Sequence, residues 1–293
     1  MRIHISIGSI NRSLIFWMDG SSKQKLLKPS KEDKMFKDKM VTPATPERVY
    51  TLCKIVEKEA RAVSDVREKM EPAALSGDSQ VYFPDYRAAA EELGLIVNSD
   101  QMLSLAVDRK HIASIDAMRQ YINTKLQQFP NGQFYKVTQA YFNLGAAVLS
   151  GDQSLANLGP QMTELTGMQV DAMAMRAWRF WVSFLGFGYL QDMFFIPNAN
   201  IFISDILRFL NPSKGTMYSF SKFIELISPY AQMIIGTDAS NHQINYGLSN
   251  ALRTLHDSGT IKLEHILDSS DIWNLHPLKA HPISGTVTNV TIL

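Results

Sequence analysis

The chain has 293 residues, 45% of them hydrophobic and 19% charged, which is typical of a soluble globular protein with material for two or three small domains. Its net charge of +1 excludes a basic footprint over the whole surface, so any affinity for nucleic acid would have to come from local patches. The single cysteine, Cys53, excludes an intrachain disulfide and a zinc site made of cysteine pairs, and its type predicts a small core residue.

The charge is unevenly distributed along the chain. Residues 1–40 contain nine Lys or Arg against four acidic residues, whereas residues 41–293 contain 20 against 24. Because the first 40 residues also lack a periodic apolar pattern, we expect a basic disordered tail that contributes little to stability.

No segment is predicted to cross or enter a membrane. The early apolar stretch "LIFWMDG" is too short for a signal peptide, and the most apolar region, residues 180–207, is interrupted by Asp192, Pro197 and two asparagines. With one cysteine and no membrane partner, the chain is expected to be cytoplasmic.

The pattern of a first domain occupies residues 41–108. Apolar residues spaced by three and four predict a helix from Pro46, a second helix capped by Ser64, and a third that ends at Gly94. The run "LIVNSDQMLSLAV" then predicts a hairpin with its turn at 98–101. Connecting helices are expected over residues 109–153.

A similar order recurs at residues 154–212 and 213–293. In the middle copy Gly188 takes the helix-stop position, and the hairpin is expected to turn at 197–200 with apolar arms that pack on protein. In the last copy a helix ends at Gly259, the hairpin is expected to turn at 268–271, and the tail "GTVTNVTIL" is predicted to add an edge strand. Glycine suits each stop because it adopts the left-handed conformation without steric cost.

Helices followed by a glycine stop and a hairpin, found three times, resemble winged-helix domains of the helix-turn-helix class, with the middle copy divergent. The resemblance implies a mainly α fold with small β-hairpins, arranged as a tandem array of two or three winged-helix domains. The layout, with the run "LHDSGTIKLEHILDSSDIWNLHPL", is similar to the DpdG family of accessory proteins from bacterial clusters that insert 7-deazaguanine into DNA, which implies a role in DNA modification or phage defence.

In a winged helix the last helix enters the major groove of double-stranded DNA, and Asn and Arg suit adenine and guanine edges. The last copy therefore supplies our predicted DNA-binding residues, which are Asn245, Tyr246, Ser249, Asn250, Arg253 and Lys262. The same side chains would also be expected on an ordinary solvated helix face.

The equivalent helices of the other two copies are less suited to DNA. The first carries Asp85, Glu91 and Glu92 beside Arg87, and these acidic residues would repel phosphates, so a protein partner is favoured there. The middle helix carries Arg176 and Arg179, but they lie within a stripe of Met and Trp whose helical spacing favours core or interface. The members of that stripe are Met173, Met175, Trp178 and Trp181.

No set of residues has catalytic spacing. The sequence lacks a GxxxxGK[ST] phosphate loop, a GxSxG nucleophile elbow and an HExxH zinc motif, so we predict no enzyme activity, catalytic residue or cofactor. Four histidines, His256, His265, His276 and His281, lie near three aspartates, Asp257, Asp268 and Asp271. A metal site would need three or four of these to converge, and ordinary polar loop residues are the favoured interpretation.

The sequence therefore favours two candidate functions. The first is a non-enzymatic DNA-binding accessory or regulatory protein. The second is a scaffold subunit of a multiprotein complex, resembling the winged-helix accessory proteins of bacterial condensin-like complexes, without DNA readout. The near-neutral charge favours the second and the Asn, Ser and Arg face favours the first, while a homodimer is compatible with both.

Overall fold

The computed structural model describes residues 34–76, 81–150, 157–192 and 194–293. These residues belong to one compact unit that spans residues 32–293. Helices dominate, and the strands form small antiparallel sheets, so the predicted mainly α class with small hairpins is confirmed. The part of the predicted tail that covers residues 1–33 lies outside the described residues.

The helices follow one another throughout the unit. Their bounds are α1 Pro46–Ile55, α2 Val63–Met70, α3 Ala73–Ser76, α4 Phe83–Glu92, α5 Ile115–Asn123, α6 Gln133–Asn143, α7 Leu158–Thr166, α8 Ala172–Phe184, α9 Asn200–Leu210, α10 Phe220–Ile235 and α11 Tyr246–Asp257. Side chains cap several of them, for example Thr45 before α1, Asp171 before α8 and Asn245 before α11, where each accepts a hydrogen bond from an N–H of the first turn. The predicted cap Ser64 is wrong, because α2 already begins at Val63.

The strands are short. Their bounds are β1 Arg61–Ala62, β2 Ile96–Ser99, β3 Met102–Leu105, β4 Gly188–Gln191, β5 Phe194–Pro197, β6 Met217–Ser219, β7 Ile261–Glu264, β8 Trp273–Asn274, β9 Thr286–Val287 and β10 Asn289–Ile292. They form four antiparallel sheets with the orders β1-β3-β2, β4-β5, β6-β10-β7 and β8-β9.

One of the three predicted hairpin turns is confirmed. Strands β2 and β3 turn through Asp100 and Gln101, both with positive φ, inside the predicted segment 98–101. The predicted turn at 197–200 is wrong, because β4 and β5 already reverse around Asp192 and residues 198–199 lead into α9.

The predicted turn at 268–271 is also wrong. Strand β7 pairs with β10, with Leu263 opposite Val290, and the chain between them makes a separate excursion in which Trp273 pairs with Val287. Strand β10 is consequently the middle strand of its sheet, bonded on both sides, and not the edge strand predicted from its alternation.

One order of elements occurs twice in the unit. Residues 46–105 run α1, β1, α2 to α4, β2 and β3, and residues 200–292 run α9, β6, α10, α11, β7 and β10, with the short strands β8 and β9 inserted between β7 and β10. In both, the first strand lies beside the last, and the last lies beside the second. Residues 133–197 contain the helices α6, α7 and α8 and the hairpin β4-β5, and among the described residues no third strand pairs with this hairpin.

The helix-stop glycine of the middle copy is Gly186 and not Gly188. Gly94, Gly186 and Gly259 all have positive φ, and each lies two residues before the strand that follows it. Gly188 instead lies inside β4, where an added Cβ would come within 2.1 Å of the Ile196 carbonyl oxygen. The recurring glycine was therefore recognised correctly twice and assigned two residues too late once.

The end of the predicted tail is part of the core. Met35, Phe36 and Met40 are 0%, 0% and 1% exposed, and the Phe36 ring lies 4.8 Å from that of Trp181. The Met40 N–H donates to Gln133 Oε1 at 2.8 Å. The prediction that the disordered tail extends to residue 40 is wrong, because these apolar residues bury themselves against helices more than 90 residues away.

A single apolar cluster runs through all the repeated segments. It contains Phe36 and Leu52 near the beginning, Trp178 in α8, and Leu252 and Val290 near the end. Cys53 is buried in this cluster, as predicted, and its burial raises the pKa of the thiol to about 12. Among the described residues no helix combines the length and the apolar character needed to cross a bilayer.

Candidate functional site

Helix α11, the predicted DNA-reading helix, is enclosed by the protein. Residues 246–256 are all buried or half-buried, and exposure begins at Asp257. Gly247 lies so close to α6 and β5 that an added Cβ would come within 2.5 Å of the Phe142 ring and 2.7 Å of Pro197. A helix that reads a major groove must present one face to solvent, and α11 has no such face.

Two of the predicted DNA-binding residues are interior hydrogen-bonding groups. Ser249 is fully buried, and its hydroxyl accepts from the His276 N–H at 2.8 Å. Arg253 is 3% exposed and donates to the carbonyl oxygens of Ile283, His276 and Ser284 at 2.9, 2.8 and 3.1 Å. The expectation that these side chains are solvated is wrong, because the loop of residues 265–285 covers them.

Three more of the predicted residues support α11 itself. Asn245 caps it by accepting from the Leu248 N–H at 2.9 Å. Asn250 donates to the Pro197 carbonyl at 3.3 Å, and the Tyr246 ring lies 5.2 Å from that of His276.

The sixth predicted residue, Lys262, lies on strand β7 and remains exposed. Its side chain is 53% exposed, and its ammonium pairs with Glu264 Oε1 at 2.6 Å. The six residues therefore do not form one surface, because five of them are directed into the protein or tied to its backbone.

Helix α4 of the first copy holds the segment that precedes α1. Glu92 accepts hydrogen bonds from the backbone N–H groups of Phe36, at 2.8 Å, and Lys37. Burial raises the pKa of this carboxyl to about 7, against the opposing effect of those two N–H donors. Glu92 thus binds a neighbouring segment of its own chain.

Helix α8 of the middle copy is mainly core. Met175, Trp178 and Trp181 are fully buried, as the Met and Trp stripe predicted, whereas Met173 is 49% exposed. Arg176, one turn after Met173, is exposed.

The hairpins β2-β3 and β4-β5 expose apolar side chains and carry no Lys or Arg. Residues 96–105 and 188–197 contain no Lys or Arg, and each contains one aspartate. In the first hairpin Val97 and Met102 lie on the same outer face and are 47% and 40% exposed. In the second, Tyr189 is 52% exposed and shares its face with the half-buried Ile196.

The histidines near the C-terminus act as local hydrogen-bonding groups. His256 Nδ1 accepts from the Leu263 N–H at 3.1 Å, and His281 Nε2 lies 3.1 Å from the Asp257 carboxylate. Burial, and then the charge of Arg253, lower the pKa of His276. Within the part of the chain that the structure describes, no three His, Cys, Asp or Glu side chains converge as metal ligands would.

A cleft of about 570 Å³, which the sequence analysis did not predict, lies between α5 and the helices α9 and α10. Its walls carry Tyr121 on α5, Arg208 and Phe209 on α9, and Tyr230 on α10. The pair Tyr121 and Lys125, one helical turn apart, was visible in the sequence, but Phe209 and Tyr230 are about 90 to 110 residues away and share no periodicity with it.

The cleft is positively charged where it meets solvent. Lys110, Lys125 and Arg208 lie in its walls, and the Lys125 ammonium lies 5.2 Å from the Tyr121 ring centroid. Burial and the charge of Lys110 lower the pKa of His111, which also lines the cleft, so that this imidazole favours its neutral form.

Comparison of the chain with protein-family models, with curated proteins and with solved structures found no significant match.

Proposed function

We propose that this protein is a non-enzymatic scaffold subunit, built from three winged-helix units fused around one core, that binds a protein partner through its hairpins. The observation that carries the proposal is the enclosure of α11, whose Arg253 is bound by three backbone carbonyl groups inside the protein. A helix covered in this way lacks the surface that base readout requires.

The order of elements supports the winged-helix part of the proposal. A winged helix consists of a helix, a short strand, two further helices and a hairpin. Residues 46–105 and 200–292 have this order and share one sheet arrangement, with the first strand beside the last. In the second of these units α9 is the first helix, and the excursion of residues 265–285 lies between the two strands of the wing.

The hairpins favour a protein partner over DNA. Wings that contact phosphates do so through Lys, Arg or other donors, and neither hairpin has a cation. Exposed apolar side chains such as Val97, Met102 and Tyr189 are suited to burial in a protein interface. The near-zero net charge of the chain agrees with this assignment.

The proposal is tested by replacing exposed apolar residues on the outer faces of the hairpins with serine. The full chain, tagged and expressed in its own host, is compared with Val97→Ser, Tyr189→Ser and the double variant. Lys222→Ala, an exposed change on α10, is the matched control. We expect a stoichiometric partner to be retained by the control and lost by the double variant, with unchanged melting temperatures. Equal recovery of the partner by all five chains would contradict the proposal.

A second candidate function is duplex DNA binding by the middle unit. It is favoured by the exposure of Arg176 in the first half of α8, because the beginning of a recognition helix is the part that contacts bases. This version retains the DNA-modification or defence role that the sequence resemblance implies.

Fluorescence anisotropy with a 30-base-pair duplex, from roughly 50 to 200 mM salt, separates the two candidates. The scaffold function predicts that the protein shows no salt-dependent binding to the duplex. Affinity that falls steeply with salt and weakens with Arg176→Ala would replace the scaffold function with DNA binding.

A further inference from the structure

We infer that the cleft between α5, α9 and α10 binds a nucleoside phosphate, with the base against the aromatic side chains and the phosphate at the cations. The volume of about 570 Å³ lies within the range of small-molecule sites. This inference does not depend on the scaffold function, because no residue that lines the cleft belongs to either hairpin and its ligand is a small molecule.

Aromatic side chains come from both sides of the cleft. Tyr121 belongs to α5, and its ring lies 4.8 Å from that of His111. Phe209 and Tyr230 belong to α9 and α10, and their rings lie 5.3 Å apart in an edge-to-face arrangement. Phe209 is 55% exposed, so its ring is accessible to a ligand in the cleft. Bases stack on aromatic rings of this kind, and the stacking stabilises binding.

The one carboxylate in the cleft wall does not offset the cations. Asp205 is 2% exposed at its side chain, and it accepts from Arg119 Nε at 2.9 Å and from Asn123 Nδ2 at 2.9 Å. Its charge is therefore already compensated from behind the wall. The Arg208 guanidinium lies 3.6 Å from the same carboxylate but is 63% exposed, so it has donors left for a ligand.

The charge of the cleft selects the kind of ligand. Lys110, Lys125 and Arg208 attract an anion. Gln120 and Thr124, also in the wall, add neutral hydrogen-bonding groups that suit the polar edge of a base. A flat ring joined to a phosphate matches all three features together.

A free nucleotide and the exposed nucleotide of a single strand share this chemistry. A neighbouring depression of about 400 Å³ shares Arg208 with the cleft and is also lined by Lys214. A strand would place a second phosphate there, whereas a free nucleotide would not need it. The Lys214→Ala variant therefore distinguishes these two sources of the ligand.

The test uses the purified full chain and isothermal titration calorimetry with ATP, adenosine, tripolyphosphate and a 12-nucleotide single strand. We expect ATP to bind at least about tenfold more tightly than either adenosine or tripolyphosphate, because each of these lacks one half of the ligand. Affinity for tripolyphosphate equal to that for ATP would overturn the inference, since it would show a simple charged patch. Absence of heat with both ATP and the strand at millimolar concentration would also overturn it.

Variants locate the binding in the cleft. Phe209→Leu should weaken ATP about tenfold and leave tripolyphosphate unchanged, while Arg208→Ala should weaken both. Lys222→Ala, exposed on α10 outside the cleft, should change neither. Lys214→Ala should leave ATP binding unchanged in either case. A lower affinity for the oligonucleotide in this variant supports a single strand as the ligand, and an unchanged affinity supports a free nucleotide. Unchanged ATP binding in both Phe209→Leu and Arg208→Ala would overturn the inference.

Discussion

Arg253 is bound inside the protein by backbone carbonyl groups that lie 23 to 31 residues away in the chain. Burial lowers the pKa of its guanidinium, so the hydrogen bonds must offset the cost of desolvating a charge. Its loss would leave carbonyl groups of the covering loop without their donors. The side chain thus links α11 to the segment of residues 276–284 by hydrogen bonds.

Replacing Arg253 with Ala should lower the free energy of unfolding by about 2–4 kcal/mol, since hydrogen bonds to a charged group are lost and buried acceptors remain unpaired. Urea denaturation measures the change. Lys262→Ala, an exposed residue on β7, should change stability by less than about 0.5 kcal/mol. Equal stability of Arg253→Ala and the wild type would show that these hydrogen bonds contribute nothing to the free energy of unfolding.

Glu92 should make stability depend on pH. Its folded-state pKa is raised to about 7, above the ordinary value of 4.5, chiefly by burial. A raised pKa means that the folded protein binds the proton more tightly than the unfolded chain does. The stabilisation is therefore fully present below pH 4.5 and is lost as the pH rises to about 7.

Over that window we expect the unfolding free energy of the wild type to fall by about 1–3 kcal/mol relative to Glu92→Gln, which cannot ionise. Denaturation series at several pH values measure the difference between the two proteins. Taking the difference removes the effect of other carboxyls, such as Asp171, whose pKa is lowered by the Ala174 N–H and acts in the opposite direction. Parallel pH profiles would mean that Glu92 has an ordinary pKa.

At the scale of the elements, the segment of residues 34–40 packs into the core. It has no regular helix or strand of its own, yet Phe36 packs its ring against Phe129, Phe134 and Trp181. Gly132 permits the close approach, because an added Cβ would come within 1.6 Å of the Phe36 carbonyl oxygen. The segment joins α4, α6 and α8 and so connects the first unit with the middle one.

Deleting residues 1–40 should therefore lower the melting temperature strongly, whereas deleting residues 1–33 leaves every one of these contacts in place and should shift it by a degree or two. Phe36→Ala alone should cost about 3–5 kcal/mol, as expected for a fully buried phenylalanine. Differential scanning calorimetry of the three proteins compares these changes. Equal melting temperatures for the two deletions would contradict the packing of this segment.

For the whole molecule, one core joins units that could have been separate domains. Helix α11 packs on α6 and β5 of the middle unit through Gly247, and Asn198 Nδ2 donates to Thr254 Oγ1 of α11 at 3.0 Å. Within the described part of the chain, one apolar cluster includes residues from Met35 to Ile292. Units connected in this way should not open independently.

We expect residues 34–293 to unfold in a single cooperative transition, with a calorimetric enthalpy equal to the van't Hoff enthalpy. Hydrogen exchange should show α1 and α11 losing protection at the same denaturant concentration. Two resolved transitions, with the first unit melting apart from the last, would instead support the tandem array of separate domains.

The sequence by itself determined the local elements. The helices at Pro46, Phe83 and Tyr246, the β2-β3 hairpin, and the stops at Gly94 and Gly259 were all predictable. These features depend on capping, helical periodicity and turn conformation, which involve residues only a few positions apart. The repetition of helices and hairpins was recognisable for the same reason.

Only the tertiary structure decided which residues face solvent and which strands pair. Strands β7 and β10 pair although more than twenty residues separate them in the chain. The loop formed by those residues covers Arg253, and helices far along the chain bury Phe36. The cleft likewise combines Tyr121 with Phe209 and Tyr230. Each depends on contacts between distant segments, and a local pattern of polar and apolar residues does not specify which distant segment will cover it.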